Sequence, residues 1–192
     1  MNLPNKLTLG RMLMIILFII VYVLKDVIGS AYVYILGAIF VIASLTDFFD
    51  GYLARKHNLV TTFGKFVDPL ADKLLVITAL FVLSDMYALN GFTMTYWMPF
   101  WVVLIVVIRE LLVTSIRLVA MEDGTVLAAS QLGKYKTFFT MATITYYFFI
   151  MPIDTQVIQI IGIIFVGISV LLTLISMIDY FIKNYKIITK SI

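Results

Sequence analysis

Long apolar runs alternate with short polar breaks along the whole chain. Reading between the breaks predicts six apolar segments, near 11–28, 32–54, 67–88, 97–119, 133–151 and 156–182. The breaks are Lys25-Asp26 with Gly29-Ser30, Arg55-Lys56-His57-Asn58, Ser84-Asp85 through Asn90-Gly91, Glu122-Asp123-Gly124, and Pro152 with Asp154. Clusters of Gly, Pro, Asn and Asp are turn chemistry. Each run comes close to, or exceeds, the roughly 20 residues that a helix needs to cross a bilayer. The pattern predicts an all-α integral membrane protein of six transmembrane helices, read as a single domain over 1–192, with no repeat and no long linker. Residues 2–10 are too polar to span and read as a short N-terminal interfacial helix. A cleaved signal peptide over 1–31 is disfavoured, although Gly29-Ser30-Ala31 could pass for a cleavage site. The apolar run is long and charge follows it.

Charge placement sets the expected orientation. Six spans put both termini on one side. Of the 14 Lys and Arg, only Lys25 falls on the other side, so the split is 13 to 1. The first side receives Lys6, Arg11, Arg55, Lys56, Lys65, Lys134, Lys136, Lys183, Lys186 and Lys190, with Lys73, Arg109 and Arg117 inside spans but nearer to it. Positive charge stays inside, so both termini are expected to be cytoplasmic. Tyr96, Trp97 and Trp101 then read as an outer aromatic belt. Tyr146, Tyr147, Phe148 and Phe149 read as packing and lipid contact, and Gly162, Gly167 and Ser169 as small residues for helix contacts, a dimer included.

Composition agrees. The 192 residues are 62% hydrophobic and 13% charged, with mean hydropathy +1.07. Soluble domains are about half apolar and about a quarter charged. A soluble domain and a disordered chain are therefore excluded. Absence of cysteine excludes disulfides, iron–sulfur clusters and thiolate metal sites, and the single histidine, His57, builds no histidine-rich site. A net charge of +3 gives no case for a nucleic-acid partner.

The charges that matter are acidic. Asp47 and Asp50 are three apart near the end of the second run, and Asp68 and Asp72 are four apart at the start of the third. Each pair shares a helix face. The intervening loop is short, so the helices are expected to be antiparallel neighbours with the pairs opposed. Intramembrane charge marks function by default. Four ionised carboxylates this close must be protonated or must bind cations. Oxygen donors without Cys or His favour hard cations, Mg²⁺ or Mn²⁺, and four carboxylates balance two of them. Two divalent ions can stabilise attacking and leaving oxygens in a phosphoryl displacement. Each aspartate alone could be a helix cap or an interfacial charge; the four together are not. Gly51 and Ala54 allow close approach of a ligand or of a helix, Gly64 precedes the third run, and Arg55 suits a phosphate or an interfacial anchor.

These residues spell Asp47-x2-Asp50-Gly51-x2-Ala54-Arg55-x8-Gly64-x3-Asp68-x3-Asp72, eight fixed residues over 26 positions. The pattern resembles the full signature of the CDP-alcohol phosphatidyltransferase family. The resemblance implies six transmembrane helices, a homodimer, a two-metal site and a bacterial plasma membrane. It implies transfer of the phosphatidyl group of CDP-diacylglycerol to an alcohol with release of CMP. Carried over, Asp47, Asp50 and Asp68 are metal ligands, and Asp72 is a ligand and the base for the acceptor hydroxyl. Gly51 and Ala54 make room for the cytidine, Arg55 holds the diphosphate, and Gly64 allows close approach near the nucleotide. The opening Asn2-Leu-Pro-Asn5-Lys-Leu-Thr8-Leu-Gly-Arg11 adds Asn5 and Thr8 to the CDP-diacylglycerol site.

Three further stretches are similar to bacterial members of the family that use glycerol 3-phosphate. They are Arg109-Glu110-Leu-Leu-Val-Thr-Ser-Ile-Arg117, Ala129-Ser130-Gln131-Leu132-Gly133-Lys134-Tyr135-Lys136-Thr137 and Leu174-Ile175-Ser176-Met177. Arg109 and Arg117 are eight apart and share a helix face. With Lys134 and Lys136 they could converge beside the metals on the acceptor's phosphate. The alternatives are interfacial anchoring for the lysines and pairing of Arg109 with Glu110 or Asp123. Other acceptors, such as inositol phosphate or serine, are the rival within this chemistry. Prenyl transfer to an aromatic acceptor also uses aspartate pairs and Mg²⁺, but it does not require the Gly51, Ala54 and Arg55 spacing. A divalent-cation carrier needs access from both faces, whereas the intramembrane charges here crowd toward one.

Overall fold

The computed structural model describes the backbone of residues 3–57, 62–89, 98–122, 130–153 and 155–190, and within these the side chains of 9–46, 70–86, 98–117, 120, 130–153 and 155–185. Every described element is helical. The order is α1 (Leu3–Val23), α2 (Lys25–Ile28), a 3-10 turn (Gly29–Ala31), α3 (Tyr32–His57), α4 (Thr62–Leu89), α5 (Phe100–Glu122), α6 (Gln131–Phe149), a second 3-10 turn (Met151–Ile153) and α7 (Gln156–Lys190).

The helices follow the apolar runs, with differences at the two ends of the chain. Residues 3–10 do not form a separate helix, because α1 runs unbroken from Leu3 to Val23. Pro4 stands in the first turn, where its missing N–H costs no helical bond. Gly10 alone does not break a helix flanked by good formers. The first helix also ends earlier than its apolar run. The chain turns through α2, and Gly29 has φ 71 and ψ −165, a region essentially reserved for glycine. At the other end of the chain, α7 continues past 182 to Lys190.

Two stretches of described residues, Lys25–Thr46 and Gln156–Tyr185, are long and apolar enough to cross a membrane. The distribution of side chains points the same way. Leu13, Ile16, Ile20, Leu111, Ile160, Leu171 and Ile182 are exposed, while Arg109, Lys136, Thr140, Thr143, Thr173 and Ser176 are buried. Water would penalise that arrangement, and lipid favours it. Tyr96 and Trp97 lie outside the described residues; Trp101 is exposed.

The chain forms two compact units, Met1–Leu83 with Ile144–Pro152, and Ser84–Thr143 with Ile153–Ile192. In the first, α1 packs along α3, its neighbour across a short connection. Phe18 of α1 and Phe40 of α3 both meet Phe148, with ring centroids 5.9 and 6.5 Å apart. Leu36, Ile39, Phe40 and Ala43 give α3 a buried stripe at helical spacing. Gly37 admits the Phe148 and Phe149 side chains: a Cβ there would sit 2.8 Å from Phe148 Cβ and 2.8 Å from the Phe149 ring. Gly37→Ala is expected to destabilise the protein by about 1–3 kcal/mol through overpacking. Gly167→Ala, where a Cβ meets nothing within 4 Å, is expected to be neutral or mildly stabilising. Unfolding temperatures of the two variants in detergent check the contrast.

The second unit joins α6 to α7 through polar contacts. Thr140 and Ser169 hydroxyls lie 3.0 Å apart, and the Thr143 hydroxyl donates to the Phe139 and Phe165 carbonyls at 2.7 and 3.3 Å. Apolar burial gives little drive between helices in lipid, so such bonds and close packing hold them together. Ser169 thus makes a helix contact and Gly162 is buried, but Gly167 is exposed and makes no close contact within this chain.

Candidate active site

The acidic residues lie on the two longest helices of the first unit. Asp47, Asp50, Gly51, Ala54 and Arg55 all belong to the last three turns of α3. Asp47 lies ten residues before His57, so about 15 Å from that helix end. Gly64, Asp68 and Asp72 all belong to α4, which starts at Thr62. Gly64 is therefore inside the first turn of α4 rather than before the helix. Asp68 and Asp72 are one turn apart, as are Asp47 and Asp50, so each pair occupies one helix face. Asp72 is half-buried beside the fully buried Ala71. The side chains of Asp47, Asp50, Arg55 and Asp68, the surroundings of Gly51, Ala54 and Gly64, and the side chains of Asn5 and Thr8 lie outside the described residues.

This donor set suits divalent cations. Two carboxylate pairs, each on one helix face, supply hard oxygen ligands; the chain has no cysteine, and its one histidine, His57, ends α3 seven residues beyond Asp50. Among the described residues, which leave out the side chains of Asp47, Asp50 and Asp68, there is no group of three or more His, Cys, Asp or Glu that could hold a metal.

The basic residues of the second unit are arranged around one carboxylate. Glu110 Oε1 accepts a hydrogen bond from Arg109 NH1 at 2.9 Å, and it also accepts one from Lys136 Nζ. All three side chains are largely buried, at 10%, 14% and 4% exposure for Arg109, Glu110 and Lys136. Arg109 lies at the mouth of α6. A Cβ on Gly133 would be 3.7 Å from Arg109 NH2. Ser130 caps that helix, its hydroxyl accepting the Gly133 N–H at 3.1 Å. Arg109 Nε is buried and has no hydrogen-bond partner.

The four predicted basic residues do not share one contact set. Arg109 and Lys136 meet on Glu110. Arg117, two turns along α5, lies over the Tyr180 ring of α7 at 5.7 Å and donates from Nε to the Tyr180 hydroxyl at 3.3 Å. Lys134 is exposed. The sequence raised Glu110 as a partner for Arg109 but missed its bond to Lys136. Tyr180 was missed altogether, because 63 residues separate it from Arg117 and no local pattern links them. The Ser130 cap was legible as a serine three residues before Gly133 at a helix start.

The comparisons with known proteins converge. A family model described as CDP-alcohol phosphatidyltransferase matches residues 1–176. A Bacillus subtilis (strain 168) protein named CDP-diacylglycerol–glycerol-3-phosphate 3-phosphatidyltransferase is 47% identical over 145 residues, covering 71% of this chain and 70% of the relative. A Wigglesworthia glossinidia brevipalpis protein of the same name is 38% identical over 186 residues, covering 94% and 93%. A Mycobacterium tuberculosis (strain CDC 1551 / Oshkosh) protein named probable phosphatidylglycerophosphate synthase is 37% identical over 179 residues, covering 93% and 79%.

Proposed function

The chain belongs to the CDP-alcohol phosphatidyltransferase family, and from that premise we propose its reaction and the residues that perform it. It transfers the phosphatidyl group of CDP-diacylglycerol to glycerol 3-phosphate, giving phosphatidylglycerophosphate and CMP, a step of anionic phospholipid synthesis. One observation carries the reading. All eight signature residues are present, and the described backbone puts the two aspartate pairs each on one face of α3 and of α4.

The family generally uses divalent metals. Asp47, Asp50, Asp68 and Asp72 would hold two of them, Mg²⁺ or Mn²⁺. When bound, these ions offset the negative charge of the diphosphate oxygens. Gly51, Ala54 and Gly64 leave room for the cytidine, Arg55 holds the diphosphate in a bidentate grip, and Asn5 and Thr8 complete the CDP-diacylglycerol site. Asp72 takes the proton from the 1-hydroxyl of glycerol 3-phosphate. The freed oxygen forms a bond to the β-phosphorus, the bond from that phosphorus to the bridging oxygen breaks, and CMP leaves with the bridging oxygen. Arg109, Arg117, Lys134 and Lys136 hold the acceptor's own phosphate. A neutral acceptor needs none of these cations. Fixing both substrates supplies the rest of the rate advantage.

The enzyme acts as one catalytic domain of six transmembrane helices and as a homodimer in the plasma membrane. Both termini and the active site face the cytoplasm. The 13-to-1 placement of Lys and Arg supports that orientation. An acceptor panel tests the function. With labelled CDP-diacylglycerol and the purified enzyme, glycerol 3-phosphate is expected to release CMP, whereas glycerol, serine and inositol phosphate leave it at background. Release with one of those three and none with glycerol 3-phosphate would replace this reading with another acceptor.

A further inference from the structure

We propose that Glu110 is a positioning residue for the acceptor phosphate, binding Arg109 and Lys136 through one oxygen and so holding the Arg109 guanidinium beside the first turn of α6. The inference rests on the reading of these cations as the acceptor site. A carboxylate inside a site for a phosphate dianion repels the ligand. Its presence therefore needs a compensating role, and the contacts supply one. Arg109 and Lys136 both donate to the same oxygen, Oε1. That shared bond fixes two cations that would otherwise repel each other in a buried setting. One negative and two positive groups leave the triad at +1.

The guanidinium so held lies beside the first turn of α6. Arg109 spends NH1 on Glu110, while its buried Nε has no partner. Its NH2 comes within 3.7 Å of where a Gly133 Cβ would be. A Cβ there would be in ordinary contact with the guanidinium and tight only against the Ser130 hydroxyl, at 3.3 Å. Next to it, the first turn of α6 carries the N–H groups of Gln131 and Leu132, which have no acceptor within the helix. The Ser130 hydroxyl already satisfies Gly133. Helix N–H groups and a guanidinium fork are both matched to phosphate oxygens. Holding Arg109 through a neighbouring carboxylate sets the angle of that fork. A flexible, unanchored arginine would lose rotamer freedom on binding.

Kinetics of the full-length enzyme in lipid nanodiscs test the proposal, with glycerol 3-phosphate and CDP-diacylglycerol varied separately. Glu110→Gln keeps the shape of the side chain and removes its charge. It is expected to raise KM for glycerol 3-phosphate by about tenfold or more, while KM for CDP-diacylglycerol moves by less than about twofold. A merely structural role would lower the amount of active enzyme, reducing kcat with both KM values unchanged, and that result would overturn the proposal. A second comparison works even if Glu110→Gln accumulates poorly. Lys136→Met alone leaves Arg109 on its anchor at net charge zero. The double variant Glu110→Gln/Lys136→Met restores +1 and frees Arg109. Positioning predicts a higher acceptor KM for the double variant than for Lys136→Met. If Glu110 only balances charge, the double variant has the lower KM, and the proposal fails. In every arm the unmodified enzyme must use glycerol 3-phosphate. If it does not, the proposed function has failed, not the role of Glu110.

Discussion

Asp72→Asn is expected to abolish CMP release in membranes that contain normal amounts of the protein. The amide is nearly the same size as the carboxylate and fits the same half-buried place on α4 beside Ala71. Packing therefore changes little. The chemistry changes twice. An amide accepts no proton from the acceptor hydroxyl at working pH, and loss of a general base costs about 10²–10⁴ in rate. On the proposed assignment the substitution also removes one anionic ligand of four, which weakens cation binding further. Without divalent cations, fold stability should hold or rise slightly, because Asp72 lies one helical turn from the like charge of Asp68. The expected signature is a rate loss of at least about a thousandfold, with an unfolding temperature that matches or exceeds that of the unmodified enzyme when both are measured in chelator. Activity within about tenfold of normal would remove Asp72 as the base.

Stripping divalent cations is the second large effect. With chelator in excess, CMP release is expected to fall to background, and Mg²⁺ or Mn²⁺ should restore it. Potassium or sodium at equal ionic strength should not, since a monovalent ion leaves the four carboxylates undercompensated. The same treatment reports on stability. A ligand that binds only the folded state stabilises it by RT ln(1 + [L]/Kd), about 2.7 kcal/mol at a hundredfold excess over Kd. Chelation should therefore lower the unfolding temperature of the unmodified enzyme and leave Asp50→Asn/Asp72→Asn almost unaffected. Full activity in chelator, measured by CMP release, would exclude a metal-dependent reaction.

Much of the helical framework is legible in the chain because lipid demands long apolar runs bounded by turn residues. The connections at Gly29-Ser30 and at Pro152 fall where the polar breaks predict them. The aspartate pairs were legible for a local reason as well, since spacings of three and four within one helix fix a shared face. Other features depend on partners far away in sequence. α1 absorbs the polar segment 3–10 because helix, once nucleated, propagates through Thr8 and Gly10 into the apolar run. Gly64 falls inside α4 because nothing in the segment after Thr62 stops a helix earlier. The pairing of Glu110 with Lys136 spans 26 residues, and that of Arg117 with Tyr180 spans 63. Periodicity within one helix says that a face exists but not which residue of another helix meets it. The sequence could thus offer Arg109, Arg117, Lys134 and Lys136 as candidates without sorting them. The contacts separate a buried pair anchored on Glu110 from an arginine stacked on Tyr180 and an exposed Lys134.

Counting manganese on the purified enzyme tests most directly whether the paired carboxylates of α3 and α4 capture hard cations. Bound and free Mn²⁺ separate by electron paramagnetic resonance, with no substrate present. The unmodified enzyme should hold about two ions per chain, and Asp50→Asn/Asp72→Asn fewer than about one. Equal manganese on both proteins, or none on either, would contradict the account.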